Sequence, residues 1–252
     1  MAELIVAADA SALAADVARR TLALLGQAQQ AHGRAVLALT AGSIMEASWQ
    51  AIAELSQSES PAAASVDWSR VDVVWADERF VPAGSDDRND KPAGRLLFDH
   101  APFSAARQLP MPASDGPHPD LDEAAAWYAG QLAPLRRPNA PAFDLVLLGL
   151  GPDGHCASLF PNHPGTLVRG ATVIAVRNSP KPPPERLSFT FDLLDEAAEI
   201  WFVASGAGKA DAVAVAQTGV SREQIPSAGP KGRVRTLWLV DEQAAARLPE
   251  RA

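Results

Sequence analysis

The amino-acid sequence predicts an α/β fold: a Rossmann-like, open, mostly parallel sheet flanked by helices, with room for a small appended subregion. Three observations predict it. Short apolar runs alternate with helical stretches along the chain, the pattern that parallel crossover units impose. The run at 143–150 (FDLVLLGL) is apolar on both faces, as a central strand covered by helices must be. Glycine-bearing polar loops follow several runs, and an open parallel sheet keeps its ligands beyond the carboxyl ends of its strands.

Residues 4–6 form a first short strand. Asp9 or Ser11 caps the next helix, where Leu13, Val17, Thr21, Leu24 and Leu25 recur at helical spacing. Gly33 ends it. A buried strand at 35–40 leads through Ala41-Gly42-Ser43 into a helix with Ile44, Ala47, Ala51, Ile52 and Leu55 on one face. The stretch 57–65, rich in Ser, Ala and Pro, reads as a loop. A third strand covers 71–76 and ends in the polar loop Asp77-Glu78-Arg79. A short helix at 95–98, irregular chain over 101–119 and a helix over 120–135 precede the central strand. After the loop 151–164 come a strand at 171–176, the stiff proline segment 180–184, a strand at 187–191, a short helix at 193–198 and a strand at 200–204. Ser205-Gly206-Ala207-Gly208-Lys209 opens a helix through Val215, and a strand at 236–240 with a terminal helix completes the alternation. No repeat or linker interrupts it, so residues 1–252 are expected to make a single domain.

Composition narrows the function. With 252 residues, 47% of them hydrophobic, the chain can bury a substantial core. Its 22 Lys+Arg against 30 Asp+Glu give a formal net charge of −8. That argues against general binding of nucleic acid or anionic membrane, which demands a basic face; a small anion needs only a few local cations. The single Cys156 excludes an intramolecular disulfide and Cys-rich zinc sites, and fits a reducing cytosol. No basic leader and no run of roughly 20 apolar residues is present. A soluble, cytoplasmic protein is expected.

The loop Leu148-Gly149-Leu150-Gly151-Pro152-Asp153-Gly154-His155 holds three glycines, a carboxylate and an imidazole. Glycines such as Gly151 and Gly154 let backbone N–H groups approach an anion closely, and an imidazole can take up and return a proton near neutral pH. Asp153 could orient His155. Spacing alone does not choose between that reading and a plain strand-to-helix turn with Asp153 as cap and His155 solvated. Pro152 and the position of the loop exclude a dinucleotide fingerprint. Gly42-Ser43 is either a phosphate seat at a helix N-terminus or an ordinary Ser43 N-cap. Taken singly, Lys209 and Arg186 are solvated cations, and Arg79 is half of a local ion pair with the carboxylates before it. His32, His100 and His118 read as solvated and the six tryptophans as core. His155 and His163 lack the matched ligands a metal site needs, and Cys156 points away from His155, so the two are no nucleophile pair.

In series these loops resemble the 6-phosphogluconolactonase family, within the larger glucosamine-6-phosphate isomerase/deaminase superfamily. The carrying residues are the run from Phe143 through Gly149, Gly151-Pro152-Asp153-Gly154-His155 and Ser158-Leu159-Phe160-Pro161; Trp75 to Pro82 with Asn89 downstream; Arg186-Leu187-Ser188; and Ser205 to Lys209. The resemblance covers nearly the whole chain. It implies hydrolysis of 6-phospho-D-glucono-1,5-lactone to 6-phosphogluconate without metal or organic cofactor. It also implies His155 as general base, Asp153 and Asp77 at active-site positions orienting His155 and the sugar hydroxyls, and Arg186, Lys209 and Gly42-Ser43 on the 6-phosphate. Arg79 would stabilise negative charge, and Asn89, Gly151 and Gly154 would line the substrate. The expected partner is the small sugar-phosphate lactone, with no nucleic acid or membrane, and the assembly a monomer or weak homo-oligomer. Two departures stand out. Ala41 replaces a family glycine before Gly42, and Arg88 stands before Asn89 where Ser is usual; that Arg either adds a cation to the site or faces solvent. The alternatives are an amino-sugar-phosphate deaminase/isomerase or a non-catalytic sugar-phosphate sensor. The deaminase branch resembles D-G-H-x-A-F-N-E, with a Glu where this chain has Phe160, and D-E-Y where it has Asp77-Glu78-Arg79. The sensor would need a DNA-binding module for which there is no spare length.

Overall fold

The computed structural model describes residues 2–57, 65–100, 102–137 and 140–249. The loop expected at 57–65 falls almost wholly outside them. Seven strands form one sheet: β1 (Glu3–Ala7), β2 (Ala35–Leu39), β3 (Val71–Trp75), β5 (Arg107–Leu109), β6 (Phe143–Gly149), β9 (Ala197–Ala204) and β10 (Arg235–Asp241). Their order is β1-β10-β9-β6-β2-β3-β5, and every neighbouring pair runs parallel. The α/β expectation is borne out. β4 (Asp77–Arg79), β7 (Val173–Val176) and β8 (Arg186–Phe189) make a second, antiparallel sheet in the order β4-β8-β7.

The helices are α1 (Ala10–His32), α2 (Ser43–Ser56), α3 (Asp90–Ala93), α4 (Leu121–Leu132), α5 (Phe191–Leu194), α6 (Ala210–Ala216) and α7 (Glu242–Ala245). α1 begins where Asp9 Oδ1 accepts from the Ala12 amide at 2.8 Å. It ends where Gly33, at φ 86°, donates to the Gln29 carbonyl; such a left-handed residue carries no penalty only as glycine. β6 lies in the middle of the large sheet, and Leu145 to Leu148 are fully buried. Its side chains join one apolar cluster with β2, β3, β9, β10 and the inner faces of α1 and α2. Five tryptophans are buried in this core; Trp127 is instead 39% exposed, with the His118 ring 4.9 Å away.

Several boundaries differ from the sequence reading. β5 lies in chain expected to be irregular: its Arg-Gln-Leu carries no apolar run, and it adds to the sheet edge through Arg107, whose Nε donates to Asp72 at 2.6 Å. Asp77-Glu78-Arg79 is a strand, not a loop, because β8 pairs with it. The strand near 171–176 belongs to the small sheet. The helix expected at 193–198 is α5, started early by Thr190, whose hydroxyl caps Leu193; Ala197 already sits in β9. His32 is not merely solvated, since its Nε2 lies 3.0 Å from Asp144 Oδ1.

From β2 the chain moves outward through β3 and β5, whereas from β6 it moves through β9 and β10 to the other side. The strand order therefore reverses between β2 and β6, where an open α/β sheet forms its ligand crevice. β4 follows β3 directly and carries the small sheet over that end.

Candidate active site

A cleft of about 180 Å³ opens at the carboxyl ends of β2, β6 and β9, with the small sheet as its far wall. Every candidate residue named from the sequence lines it except Asp153 and Gly154, which shape the loop beneath His155. The loops after β2 and β6 and the segment Asp77-Glu78-Arg79 thus converge, with Ser205 and Lys209 beside them.

The His155 loop is built by its own backbone. Gly149 donates its amide to Thr40 Oγ1 at 2.8 Å, tying the end of β6 to β2. Gly151 N–H reaches His155 O at 2.9 Å, and Gly154 N–H reaches Gly151 O at 3.0 Å. Gly154 has φ +83°, and a Cβ on Gly151 would stand 1.9 Å from His155 Nδ1. Gly154 is thus glycine for its backbone conformation and Gly151 for the space the imidazole fills. This closure brings Asp153 Oδ1 within 2.5 Å of His155 Nδ1, so the two residues touch. An ionised carboxylate only accepts hydrogen bonds, so Nδ1 carries the proton and Nε2 of the neutral ring keeps its lone pair. Burial raises the Asp153 carboxyl, but the His155 hydrogen bond and the charge of Lys181 outweigh it and hold the group well below the usual carboxylate range. The Phe160 ring packs 4.7 Å from the imidazole, centroid to centroid.

Lys181 was not singled out from the sequence. Its Nζ lies 3.3 Å from His155 Nδ1 and 3.4 Å from Asp153 Oδ1. The available signal was a cation embedded in the proline segment, between Pro180 and Pro182.

Arg186 is not a solvated cation; it is 4% exposed. Its guanidinium donates to the carbonyls of Lys181, Pro182 and Pro183 at 3.0–3.2 Å and lies 5.5 Å over Phe160. Among the described residues no carboxylate pairs with it. Burial pulls its pKa down, with Asp77 opposing. A buried cation whose hydrogen-bond partners are carbonyl oxygens and not carboxylates keeps charge available for an incoming anion. Lys209 Nζ donates to Leu150 O at 2.6 Å, and burial and nearby Lys181 lower its pKa. Gly42, at φ 143°, occupies the N-cap of α2 without a side-chain cap, so Ser43 is the first residue of the helix rather than its cap.

On the far wall, Asp77 is buried and bonds Ser158 and Asn89 rather than His155. Its Oδ2 accepts from Ser158 Oγ at 2.8 Å, and its carbonyl accepts from Asn89 Nδ2 at 2.9 Å. Arg79 makes no ion pair among the described residues; its Nη1 donates to Asp87 O at 2.7 Å. Arg88 neither enters the cleft nor faces solvent. It is 3% exposed and bonds Asp90 and the Met111 carbonyl, both at 2.8 Å. Cys156 is buried, which pushes its thiol up. His163 bonds the Arg177 carbonyl and the Gly165 amide. Among the described residues no cluster of three or more His, Cys, Asp or Glu could hold a metal ion, and no helix is long and apolar enough to cross a membrane.

Fold and site together define an α/β protein with a cation-lined crevice, where a carboxylate-bonded imidazole and a guanidinium without a carboxylate partner among the described residues share one cleft. The chain belongs to the family described as glucosamine-6-phosphate isomerases/6-phosphogluconolactonase, whose profile matches residues 8–238. It is 44% identical to the 6-phosphogluconolactonase of Streptomyces coelicolor over 252 residues, covering 98% of this chain and 95% of that one. It is 43% identical to that of Mycobacterium tuberculosis over 244 residues, covering 96% of each. Among solved structures, 6-phosphogluconolactonase from Trypanosoma brucei aligns with a TM-score of 0.81 at 23% identity, covering 99% of both chains. A monomeric glucosamine-6-phosphate deaminase aligns at 0.78 and 20% identity, covering 97% of this chain and 99% of that one. At such identities these two alignments establish the shared fold, and the family resemblance read from the sequence is borne out.

Proposed function

We propose that the chain is a 6-phosphogluconolactonase, hydrolysing 6-phospho-D-glucono-1,5-lactone to 6-phospho-D-gluconate. The curated relatives at 43–44% identity carry that name. The observation that carries the chemistry is one cleft lined both by His155, which Asp153 holds from behind, and by the buried Arg186, which has no carboxylate partner among the described residues.

In this reading Arg186 and Lys209 grip the 6-phosphate, helped by the amides at the N-terminus of α2 beside Gly42 and Ser43. His155 Nε2 takes a proton from water as its oxygen bonds to C1 of the lactone. Charge builds on the carbonyl oxygen, beside the cationic wall that Arg79 and Lys181 supply. The imidazolium, stabilised by Asp153, then returns the proton to the ring oxygen as the C1–O bond breaks. The acid formed ionises to the carboxylate. Asp77 and Asn89 orient the sugar hydroxyls from the opposite wall. An amino-sugar-phosphate deaminase needs a titratable group near the base to open the ring, and Phe160 fills that position with a phenyl ring. All these side chains come from one chain, so we take a monomer or weak homo-oligomer to be sufficient and the cytoplasm, which fits the free Cys156, to be the compartment.

The test is a coupled assay on freshly generated lactone, corrected for spontaneous hydrolysis, beside glucosamine 6-phosphate. His155→Ala should lower kcat by about 10²–10⁴-fold, the usual worth of a positioned base. Turnover of the amino sugar but not the lactone, or an unimpaired alanine variant, overturns the assignment.

A further inference from the structure

One carboxylate beneath the cleft wall has no part in the chemistry above. Glu78 points to the opposite side of β4 from Asp77 and Arg79 and is 0% exposed. Its Oε1 accepts the Arg79 amide at 2.7 Å and the Asn89 amide at 2.6 Å. Its Oε2 accepts the Asp90 amide at 3.0 Å, and Arg88 Nη2 lies 3.7 Å away. β4 is the edge of the small sheet, paired only with β8. The segment 87–90 covers its open edge with no strand ladder of its own. Asn89 then reaches back to the Asp77 carbonyl, and Arg79 to the carbonyl of Asp87.

We propose that Glu78 is a positioning residue: its carboxylate clamps segment 88–90 onto β4 and so fixes Asp77, Arg79 and Asn89 as one wall of the cleft. The three amides and the guanidinium are all donors, which suits an ionised carboxylate and not a carboxylic acid, whose O–H would face other N–H groups. Arg186 on β8, Tyr128 on α4 and Asp90 also lie within its electrostatic reach. Burial pushes the carboxyl up to about 7, with Arg88 opposing. Ionising it in place therefore costs the fold stability, and an isosteric hydrophobic or amide core would not bear that cost. That combination indicates a task other than stability.

The inference rests on the lactonase reading, and the test separates the two. Glu78→Gln keeps the shape and one acceptor oxygen, but its NH₂ confronts the Asp90 amide and Arg88. It should lower kcat about 10- to 100-fold, since displacements near 1 Å in a site cost about that much. KM for the lactone should change less than about threefold, because Arg186 and Lys209 keep their own hydrogen bonds to the carbonyls of 181–183 and of Leu150. The thermal midpoint at pH 8 should not fall. Asn89→Ala is the second variant: it leaves the clamp's three backbone bonds intact, and it should lower kcat at least as far. Combined with Glu78→Gln, its loss should not multiply, because both act through one wall. Wild-type kcat in either single variant, a loss of kcat that tracks a fallen midpoint, or fully multiplicative losses overturn the clamp. Wild-type protein that hydrolyses the lactone no faster than buffer instead overturns the lactonase reading itself.

Discussion

A single added carbon at Gly151 probes the site most directly. A Cβ there would stand 1.9 Å from His155 Nδ1, 2.1 Å from Cε1 and 2.4 Å from Asp153 Oδ1. Ordinary contact begins at 3.4 Å, so the imidazole must retreat by 3.4 − 1.9 = 1.5 Å. Phe160 blocks one direction, with its ring centroid 4.7 Å from that of the imidazole. The ring must therefore swing outward and lose its 2.5 Å bond to Asp153. A reacting group misplaced by about 1 Å costs roughly 10²-fold, so Gly151→Ala should lower kcat by about 10²-fold or more, or roughly 3 kcal/mol of barrier. The Gly151 backbone lies outside the left-handed region, so alanine is conformationally allowed there and the thermal midpoint should move only slightly. The assay follows 6-phosphogluconate release at saturating lactone, beside a melting curve. Turnover within about threefold of wild type would show that His155 need not sit where the loop holds it, and the base assignment would fail.

Two further outcomes follow from the charges. Arg186→Ala should cost about 1.5–3 kcal/mol in kcat/KM for the phosphorylated lactone, with little change for unphosphorylated gluconolactone; undiminished discrimination between the two refutes the anchor. Because Glu78 titrates higher folded, at about 7, than its ordinary 4.5, the folded state binds its proton more tightly. Its contribution to stability is complete below pH 4.5 and lost as pH rises through 7, by at most about 3 kcal/mol. Unfolding curves at pH 5 and pH 8 should therefore draw together in Glu78→Gln, and an unchanged gap refutes the shift.

The parallel core was legible because its strands are apolar on both faces, as in β6, and need no distant partner to be recognised. β5 was not, since Arg107 to Leu109 carry no pattern and become a strand only by adding to β3. Within the site, the His155 loop showed its residue types but not its geometry. Whether residues two apart touch depends on the Gly151–His155 backbone bond that closes the turn. Arg186 read as solvated because burial is a property of the assembled fold. Lys181 was missed for the same reason, as only folding brings the proline segment over the loop after β6. Glu78 reads as part of a polar loop in the sequence, and only its pairing with β8 makes it strand.

The concentration of cations in one place bears on turnover. Arg79, Lys181, Arg186 and Lys209 line a single mouth on a chain whose formal net charge is −8. An incoming anion is repelled by most of the surface and attracted only within about 8 Å of that opening at physiological salt. Opening the lactone adds a carboxylate to the phosphate, so the departing molecule is more negative than the arriving one. The same groups that capture the ester therefore delay the exit of the acid, and ionic strength trades faster departure against slower arrival.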